Sequence, residues 1–382
     1  MKIIFNGLPV VYPMSGVGQY TLQLGRALEA LLGNEKIFWF GTNLSNCGHN
    51  YSANNGPDSL NRLQYGLRKY LRKMPGLNTL VHHWRNHQFQ SSIRKIKPSL
   101  YHETKYVPFN FEIGPTLITI YDLSFLRYPE WHPADRVRHL EKYFLKRLPQ
   151  AEAIITISEF SKKEIIDLLN IDPANIHVTY PGVDPSFSPE GKRMEGLPSR
   201  YTLFLGNLEP RKNLIGLLNA YRSLPRNLRE KYPLVIAGAN AWHTREFKKA
   251  VDSFRERGKP ILTGYVTQSK LPDLYRGASL FVFPSFYEGF GLPVLEAMAT
   301  GIPVIASNST SLPEVVADAG VLVNPLDIDA WKEEMLRLLE DEKARGRMSE
   351  KGLARAKLFS WEKCARETLT IYEKCLEGKE AS

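Results

Sequence analysis

The segment FPSFYEGFGLPVLEAMATGIPVIAS carries two glutamates, Glu288 and Glu296, with seven residues between them. Gly289 and Gly291 lie in the intervening sequence, and Pro293 follows as a residue that favours the start of a helix. We therefore predict a loop that carries Glu288 and a helix whose first turn carries Glu296. Because the glycines interrupt any helical path between them, we expect that the two carboxylates do not share one face of a helix.

Two carboxylates placed in this way suit a ligand with several hydroxyl groups. A carboxylate accepts hydrogen bonds from two neighbouring hydroxyls, and glycine allows the backbone to approach a ligand closely. We expect each glutamate to contact a different part of one sugar-containing ligand. The alternative is structural, since a glutamate in the first turn of a helix commonly stabilises the helix dipole.

A second candidate site is the segment LEPRKN, in which Arg211 and Lys212 lie between a predicted strand that ends at Gly206 and a predicted helix that begins near Asn213. A cation at a helix N-terminus costs about 0.3–1 kcal/mol. Two such cations favour a bound anion, because cationic side chains and free N–H groups both bind phosphate. The alternative is a solvated pair. The spacing matches neither a dinucleotide fingerprint nor a P-loop.

The first half of the chain offers further candidates. In PMSGVGQY, Gly16 and Gly18 are predicted to lie in the loop between the first strand and the helix that follows. A tight turn is the alternative explanation for this pair, and Thr21 stands where a dinucleotide fingerprint requires glycine, which argues against NAD. Asp122 ends the run TLITIYD and is predicted to face the same ligand cleft.

Predicted strands and predicted helices alternate along the whole chain, and they must position these residues. Short apolar runs rich in Val, Ile, Leu and Phe are separated by helical patterns, which is typical of parallel strands buried on both faces and of doubly wound α/β sheets. The predicted strands are 2–7, 36–41, 99–103, 116–122, 153–158, 176–181, 201–206, 233–238, 260–265, 280–285, 303–307 and 320–324. Twelve strands are too many for one sheet of this kind, so we predict two sheets of six strands each.

The predicted domain boundary is the segment 184–200, which is rich in Pro, Gly and Ser and has no periodic pattern. It separates a first Rossmann-like domain over 1–183 from a second over 201–359, and a final helix is predicted within 360–382. Two doubly wound domains side by side present the carboxyl ends of their strands, where ligands bind, across a shared cleft.

Composition and charge narrow the classes of protein. The chain has 382 residues, of which 43% are hydrophobic and 24% charged, as in soluble globular proteins. The formal net charge of +10 favours an anionic partner. The start of the chain lacks the pattern of a signal peptide, and no apolar run is long enough to span a membrane. Three cysteines without metal-binding spacing indicate a reducing, cytoplasmic setting.

One basic segment predicts a surface for an anionic partner. Residues 59–74 place leucines at helical spacing with lysines and arginines between them, and residues 61–105 contain ten Lys or Arg against one acid. A basic amphipathic helix of this kind can lie on anionic lipid, so we predict peripheral contact with a membrane. An ordinary packed helix with a solvated face is the alternative. Nucleic acid is disfavoured, because no recognised binding module is present.

Taken in order, these motifs resemble those of the retaining glycosyltransferases of family 4, which have the two-domain GT-B fold. The resemblance covers essentially the whole chain and includes SGVGQY, TIYDLSFLRYPEWH, TISEFSKKEI and SLPEVVADAG. Its most specific element is the glutamate pair in EGFGLPVLE together with the upstream RKN. The sequence is similar to mannosyltransferases that build bacterial O-antigen or related polysaccharides from GDP-mannose.

The resemblance implies a role for each candidate residue. Arg211 and Lys212 would bind the donor diphosphate and stabilise the leaving group, Glu296 would accept the ribose hydroxyls, and Glu288 would hold the donor sugar beside the reacting carbon. Further donor contacts would come from Gly16, Gly18, Gly289, Phe290, Gly291 and Leu292. The resemblance also implies that the enzyme needs no metal and no cofactor, since the two cations supply the charge, and that the final helix crosses back onto the first domain.

One departure from the family pattern affects the predicted chemistry. Relatives usually have His where this chain has Tyr121. Asp122 is therefore kept, together with Glu288, as a candidate catalytic carboxylate, and the identity of the donor sugar stays open. The expected function is transfer of a hexose, mannose from GDP-mannose, to a lipid-linked saccharide at the inner face of the cytoplasmic membrane. The alternatives are a UDP-sugar donor, a non-catalytic nucleotide-sugar-binding scaffold, and a nucleotide-sugar epimerase.

Overall fold

The computed structural model describes residues 1–10, 14–41, 77–239, 245–254 and 258–380. The predicted basic helix 59–74 lies outside the described residues. The chain divides into two compact units. The first unit contains residues 1–157, 162–181 and 361–382, and the second contains residues 158–161 and 182–360.

The first unit is built on a six-stranded parallel sheet. Its strands are β1 (Ile3–Asn6), β2 (Ile37–Phe40), β3 (Leu100–Glu103), β4 (Thr116–Ile120), β5 (Ala153–Thr156) and β6 (Ile176–Val178). They are arranged in the order β2-β1-β3-β4-β5-β6. Every residue of β1, β3, β4 and β5 is buried. Burial on both faces explains why these strands are apolar runs without polar alternation.

The second unit contains another six-stranded parallel sheet. Its strands are β7 (Tyr201–Leu205), β8 (Leu234–Ala237), β9 (Ile261–Gly264), β10 (Ala278–Phe283), β11 (Val304–Ser307) and β12 (Val321–Val323). They are arranged in the order β12-β11-β10-β7-β8-β9. The predicted fold class, two doubly wound Rossmann-like domains, is therefore confirmed.

Strand order changes direction once in each sheet, between β1 and β3 in the first and between β7 and β10 in the second. In a doubly wound sheet, helices leave opposite faces at this point and open a crevice at the carboxyl ends of the strands. The crevice at β1 and β3 in the first unit, and at β7 and β10 in the second, is therefore a favourable place for a ligand, and the loops after the neighbouring strands border it.

Helices connect most of the successive strands, although β3 and β4 are joined by a loop. The described helices are α1 (Gly16–Leu32), α2 (Leu77–Ile96), α3 (Ser124–Arg127), α4 (Ala134–Arg147), α5 (Glu159–Leu169), α6 (Leu214–Arg222), α7 (Arg226–Lys231), α8 (Arg245–Asp252), α9 (Leu271–Arg276), α10 (Leu292–Ala299), α11 (Leu312–Val316), α12 (Ile328–Glu340), α13 (Glu342–Ala356) and α14 (Trp361–Glu380). Within the described part of the chain, no helix is both long enough and apolar enough to cross a membrane.

The C-terminal helix α14 packs within the first unit. Its buried face carries Trp361, Ala365, Thr368 and Tyr372, at the spacing that the sequence predicts for one face of a helix. The hydroxyl of Tyr372 lies 2.6 Å from Nδ1 of the fully buried His102 on β3.

The imidazole of His102 is held on both sides. Its Nε2 atom lies 2.7 Å from Oγ1 of Thr119 on β4, opposite the Tyr372 contact. Burial lowers the pKa of His102 to about 3, so the ring is neutral at physiological pH. A neutral imidazole donates one hydrogen bond and accepts one, so the two hydroxyl partners satisfy it fully.

Replacing Tyr372 with Phe is expected to lower the free energy of unfolding by about 1–3 kcal/mol, because it leaves one nitrogen of a buried imidazole without a partner. Urea denaturation followed by circular dichroism measures this change. Thr370→Val is the matched control, since Thr370 lies exposed on the same helix and its hydroxyl bonds only to the helix backbone. A loss no greater than that of the control would show that the hydrogen bond does not stabilise the unit.

Candidate functional site

The candidate site of the second unit is formed by the loops that follow β7 and β10. These strands are paired at the point where strand order changes direction, with Leu203 opposite Phe281. Their loops therefore leave the sheet side by side. The first loop contains the 3₁₀ turn Pro210–Lys212, and the second carries Glu288.

The two loops are joined by ionic hydrogen bonds. Lys212 Nζ lies 2.5 Å from Oε1 of Glu288, and Arg211 Nη1 donates to Oε2 of the same carboxylate at 2.9 Å. Arg211 also donates from Nε to Glu209 at 2.9 Å and from Nη1 to the carbonyl oxygen of Tyr287 at 3.0 Å. The guanidinium is thus held in one orientation by three acceptors.

Burial and charge act in opposite directions on this cluster. The side chains of Lys212 and Glu288 are only 6% and 8% exposed. Burial raises the pKa of Glu288, but the charges of Arg211 and Lys212 outweigh it and lower the pKa to about 2. Burial and the neighbouring guanidinium lower the pKa of Lys212, and Glu288 offsets part of this effect. Lys212 Nζ also lies 4.8 Å from the ring centroid of Phe283, a favourable cation–π distance.

The backbone around Glu288 is held by the loop that follows β11. The N–H of Glu288 donates to Thr310 Oγ1 at 3.0 Å. The hydroxyl of Ser311 lies 2.9 Å from the carbonyl oxygen of Glu288 and 3.0 Å from that of Phe290. These contacts fix the glycine-rich segment between the two glutamates.

Gly291 ends this loop with a backbone that favours glycine. Its φ is +110°, and a Cβ atom there would lie 2.6 Å from Cδ2 of Leu312. An L-residue at this position would be strained and crowded. Gly291 is the residue immediately before α10, so the turn into the helix requires glycine.

Glu296 lies in the second turn of α10, so the prediction of a first-turn position was wrong. The helix begins at Leu292 and Glu296 is its fifth residue. Its Oε2 atom lies 2.8 Å from the hydroxyl of Tyr275, which also lies 3.1 Å from the carbonyl oxygen of Pro293. The contact with Tyr275 has no signature in the local sequence, because it comes from a different helix.

Glu296 is the opposite of Glu288 in its charge state. Burial raises the pKa of Glu296 to about 8; the hydrogen bond from Tyr275 opposes this effect and the charge of Asp184 adds to it. A neutral carboxyl group can donate its proton to Tyr275, whose own single proton then reaches Pro293. This arrangement satisfies both contacts of the phenol.

The structure brings Arg211, Lys212 and Glu288 into direct contact, and it adds Glu209, which the sequence analysis did not single out. The position of Glu209 two residues before Arg211 is the only sequence feature that would have indicated it. Glu288 is connected to the helix that carries Glu296 by Gly289, Phe290 and Gly291, and Leu292 is the first residue of that helix. Within the described ranges, no group of three or more His, Cys, Asp or Glu side chains is arranged to hold a metal ion.

In the first unit, Gly16 and Gly18 lie in the first turn of α1, so their predicted position in a loop was wrong. Ser15 is the N-cap, and its Oγ accepts the N–H of Gly18 at 3.2 Å, which starts the helix earlier than predicted. A Cβ atom at Gly18 would lie 2.6 Å from the carbonyl oxygen of Pro9. Close packing therefore requires glycine there.

Asp122 follows β4 and contacts the start of α3. Its Oδ1 accepts the backbone N–H of Ser124 at 3.0 Å and the Ser124 hydroxyl at 2.7 Å. The neighbouring Tyr121 is buried, and its hydroxyl donates to the carbonyl oxygen of Thr104 at 2.9 Å. Tyr121 thus supports the sheet edge, whereas the carboxylate of Asp122 is half-buried.

Replacing Glu288 with Gln is expected to lower the free energy of unfolding by about 3–5 kcal/mol, because Lys212 is left as a buried charge without an ionic partner. Adding Lys212→Met to this variant should restore much of the loss. Urea denaturation measures both values. Glu362→Gln is the matched control, since it breaks an exposed ion pair with Arg366 and should cost less than about 1 kcal/mol. Equal losses for Glu288→Gln and the control would contradict a stabilising role for the buried pair.

Comparison with known proteins identifies the family. Residues 14–187 match the family model "Glycosyltransferase Family 4", and residues 192–355 match the model "Glycosyl transferases group 1". The chain is 38% identical over 383 residues to O-antigen chain mannosyltransferase B of Escherichia coli, and the match covers 98% of this chain and 100% of the relative.

Solved structures show the same fold at low sequence identity. Sucrose-phosphate synthase from Thermosynechococcus elongatus matches with a TM-score of 0.72 and 20% identity, over 99% of this chain and 100% of that structure. WaaG, a glycosyltransferase involved in lipopolysaccharide biosynthesis, matches with a TM-score of 0.70 and 14% identity, over 97% and 99% of the two chains. From the family models and the full-length relative, we conclude that this chain is an enzyme of the family 4 glycosyltransferases, built on the GT-B fold.

Proposed function

We propose that this enzyme transfers mannose from GDP-mannose to a lipid-linked saccharide in the synthesis of a bacterial surface polysaccharide, with retention of the anomeric configuration. The observation that carries the proposal is the buried cluster of Arg211, Lys212 and Glu288 at the β7–β10 edge. The mannosyl donor is supported by the full-length similarity to O-antigen chain mannosyltransferase B of Escherichia coli.

In this proposal Arg211 and Lys212 bind the donor diphosphate. Both cations already contact an anionic oxygen of Glu288, and phosphate oxygens are acceptors of the same kind. As the bond between sugar and phosphate breaks, negative charge grows on the leaving diphosphate. Fixed cations stabilise that charge without reorganising.

Glu288 is proposed to orient the donor sugar. The low pKa of Glu288 keeps it ionised, and each carboxylate oxygen can accept a second hydrogen bond besides the one from its cation. Hydroxyl groups of the sugar are suitable donors. Glu288 would therefore link the position of the sugar to the position of the diphosphate.

Glu296 is proposed to accept the ribose hydroxyls of the nucleotide. Two hydroxyl donors favour an ionised carboxylate, so binding should draw Glu296 from its neutral state towards its charged state. Backbone groups of Gly289, Phe290, Gly291 and Leu292 would complete the donor pocket. Gly16 and Gly18 are proposed as first-unit contacts to phosphate. Asp122 is proposed as a catalytic carboxylate that contacts the saccharide acceptor. Residues 59–74 are proposed as a membrane contact.

Calorimetric titration with GDP, UDP and ADP tests the donor site, and GDP is expected to bind best. Arg211→Ala should weaken GDP binding and lower mannosyl transfer roughly 10- to 150-fold, because it removes a charge-assisted contact of about 1.5–3 kcal/mol. Arg226→Ala is the matched control, since Arg226 is an exposed arginine of the same unit that pairs only with a neighbouring helix residue.

Other results of this titration would contradict particular parts of the proposal. Full turnover in Arg211→Ala would remove Arg211 from the diphosphate site. Preference for UDP or ADP would overturn the GDP-mannose assignment and keep the transferase. Absence of binding to every nucleotide would favour a scaffold, and conversion of the nucleotide sugar without acceptor would favour an epimerase.

The pKa of Glu296 predicts how donor affinity depends on pH. Because that pKa is raised to about 8, the ionised form becomes scarcer as the pH falls, and GDP-mannose affinity should decrease by about tenfold per pH unit below pH 7. Titrations between pH 6 and 8 measure this, since the intact nucleotide sugar does not ionise there. Glu296→Gln should bind weakly and without this pH dependence. An unchanged slope in Glu296→Gln would assign the pH dependence to another group.

A further inference from the structure

We propose that His132 and Ser124 are positioning residues for Asp122, and that the Oδ2 atom of Asp122 accepts a hydrogen bond from a hydroxyl group of the saccharide acceptor. The inference rests on the proposed function, in which Asp122 contacts the acceptor. It extends that function by naming the atom that contacts the sugar and the two side chains that orient it.

A directed chain of hydrogen bonds leads to Asp122. Nε2 of His132 lies 3.0 Å from Oγ of Ser124, and that oxygen lies 2.7 Å from Oδ1 of Asp122. A serine hydroxyl has a single proton, and an ionised carboxylate can only accept. Ser124 therefore donates to Asp122, and its oxygen accepts the Nε2 proton of His132.

The backbone holds His132 in place. His132 ends the 3₁₀ turn Pro129–Trp131, and its N–H donates to the carbonyl oxygen of Pro129 at 3.0 Å. Pro133 follows directly and restricts the backbone further before α4 begins. The imidazole therefore reaches Ser124 from a fixed segment.

The backbone of Asp122 is held from another side. Its carbonyl oxygen accepts a hydrogen bond from the hydroxyl of Tyr106 at 3.2 Å. Tyr106 is buried, and its φ is +65°. Bulky residues rarely adopt a positive φ, and such strained conformations concentrate at functional sites. The tyrosine follows β3, so it ties the carboxyl ends of two neighbouring strands together.

These contacts leave one carboxylate oxygen for a ligand. Oδ1 accepts both hydrogen bonds from Ser124, whereas Oδ2 has no hydrogen-bond partner among the residues that the structure describes. Asp122 is half-buried at the carboxyl edge of the first sheet, where doubly wound sheets bind ligands. A carboxylate oxygen with unused lone pairs is a suitable acceptor for a sugar hydroxyl.

A purely structural role explains only part of this arrangement. If Asp122 served only to start α3, the hydrogen bond from the backbone N–H of Ser124 to Oδ1 would suffice. The contact between His132 and Ser124 adds no hydrogen bond to the helix. Its effect is to fix the Ser124 hydroxyl, which in turn restricts rotation of the carboxylate and so fixes the direction of Oδ2.

Steady-state transfer kinetics on the full chain test the proposal, with the nucleotide sugar that the wild-type enzyme uses. His132→Ala and Ser124→Ala are each expected to lower kcat roughly tenfold, the effect of one lost hydrogen bond in the transition state. His132→Gln should restore most of kcat, because its amide nitrogen can replace Nε2. The double variant should be no slower than Ser124→Ala alone, since His132 acts through Ser124.

Matched measurements separate positioning from a general loss of structure. His139→Ala replaces another half-buried histidine of the first unit that does not contact Ser124, and it should retain wild-type kcat. In all these variants, the KM for the nucleotide sugar and the melting temperature should stay close to the wild-type values. A fall in kcat that follows the melting temperature would overturn the proposal.

Two further outcomes distinguish this inference from the proposed function. If Asp122→Asn transfers mannose at the wild-type rate, the role of Asp122 in the proposed function fails and the inference fails with it. If Asp122→Asn is slow but His132→Ala is as fast as wild type, only the inference fails. Lack of recovery in His132→Gln, or additive losses in the double variant, would also overturn it.

Discussion

The second unit depends on one electrostatic constraint, which is that Lys212 and Glu288 are too deeply buried to remain charged without each other. Removing each ion from water costs several kcal/mol, and only a close partner offsets that cost. The pair therefore ties the loop after β7 to the loop after β10. Arg211 joins the same carboxylate, and Glu209 fixes its guanidinium. The result is a charged site of two cations and two carboxylates whose geometry exists before any ligand binds.

The same constraint explains how two glutamates of one short segment differ. Glu288 lies beside two cations and is ionised. Glu296 is buried, no cation contacts it among the residues that the structure describes, and it is neutral at physiological pH. The two residues are of the same type, so their charge states differ only because the surroundings of their carboxyl groups differ. In the proposed function, the ionised Glu288 balances the cations that bind the diphosphate, and Glu296, near its titration point, can respond to hydroxyl donors on the nucleotide.

The strands and their parallel pairing follow from the sequence, because a strand buried on both faces must be a continuous apolar run, as in TLITI and LFVF. The side-chain contacts of the site do not follow. Lys212 contacts Glu288, and Tyr275 contacts Glu296, because the fold brings segments together that are distant in the sequence. The helix starts also differ from those predicted by the sequence. α10 begins at Leu292 and α1 begins directly after Ser15, because capping and loop packing decide these boundaries.

The two units use different physical means at their strand edges. In the proposed function, the second unit holds the diphosphate through charge-assisted hydrogen bonds from Arg211 and Lys212. The first unit offers hydrogen bonds around Asp122, and hydrogen bonds between hydroxyls and a carboxylate weaken steeply when misaligned. A site that depends on direction must hold its acceptor rigidly. In the proposed function, that requirement gives a role to Tyr106, with its positive φ and its hydrogen bond to the backbone of Asp122, and to the hydrogen bond from His132 to Ser124.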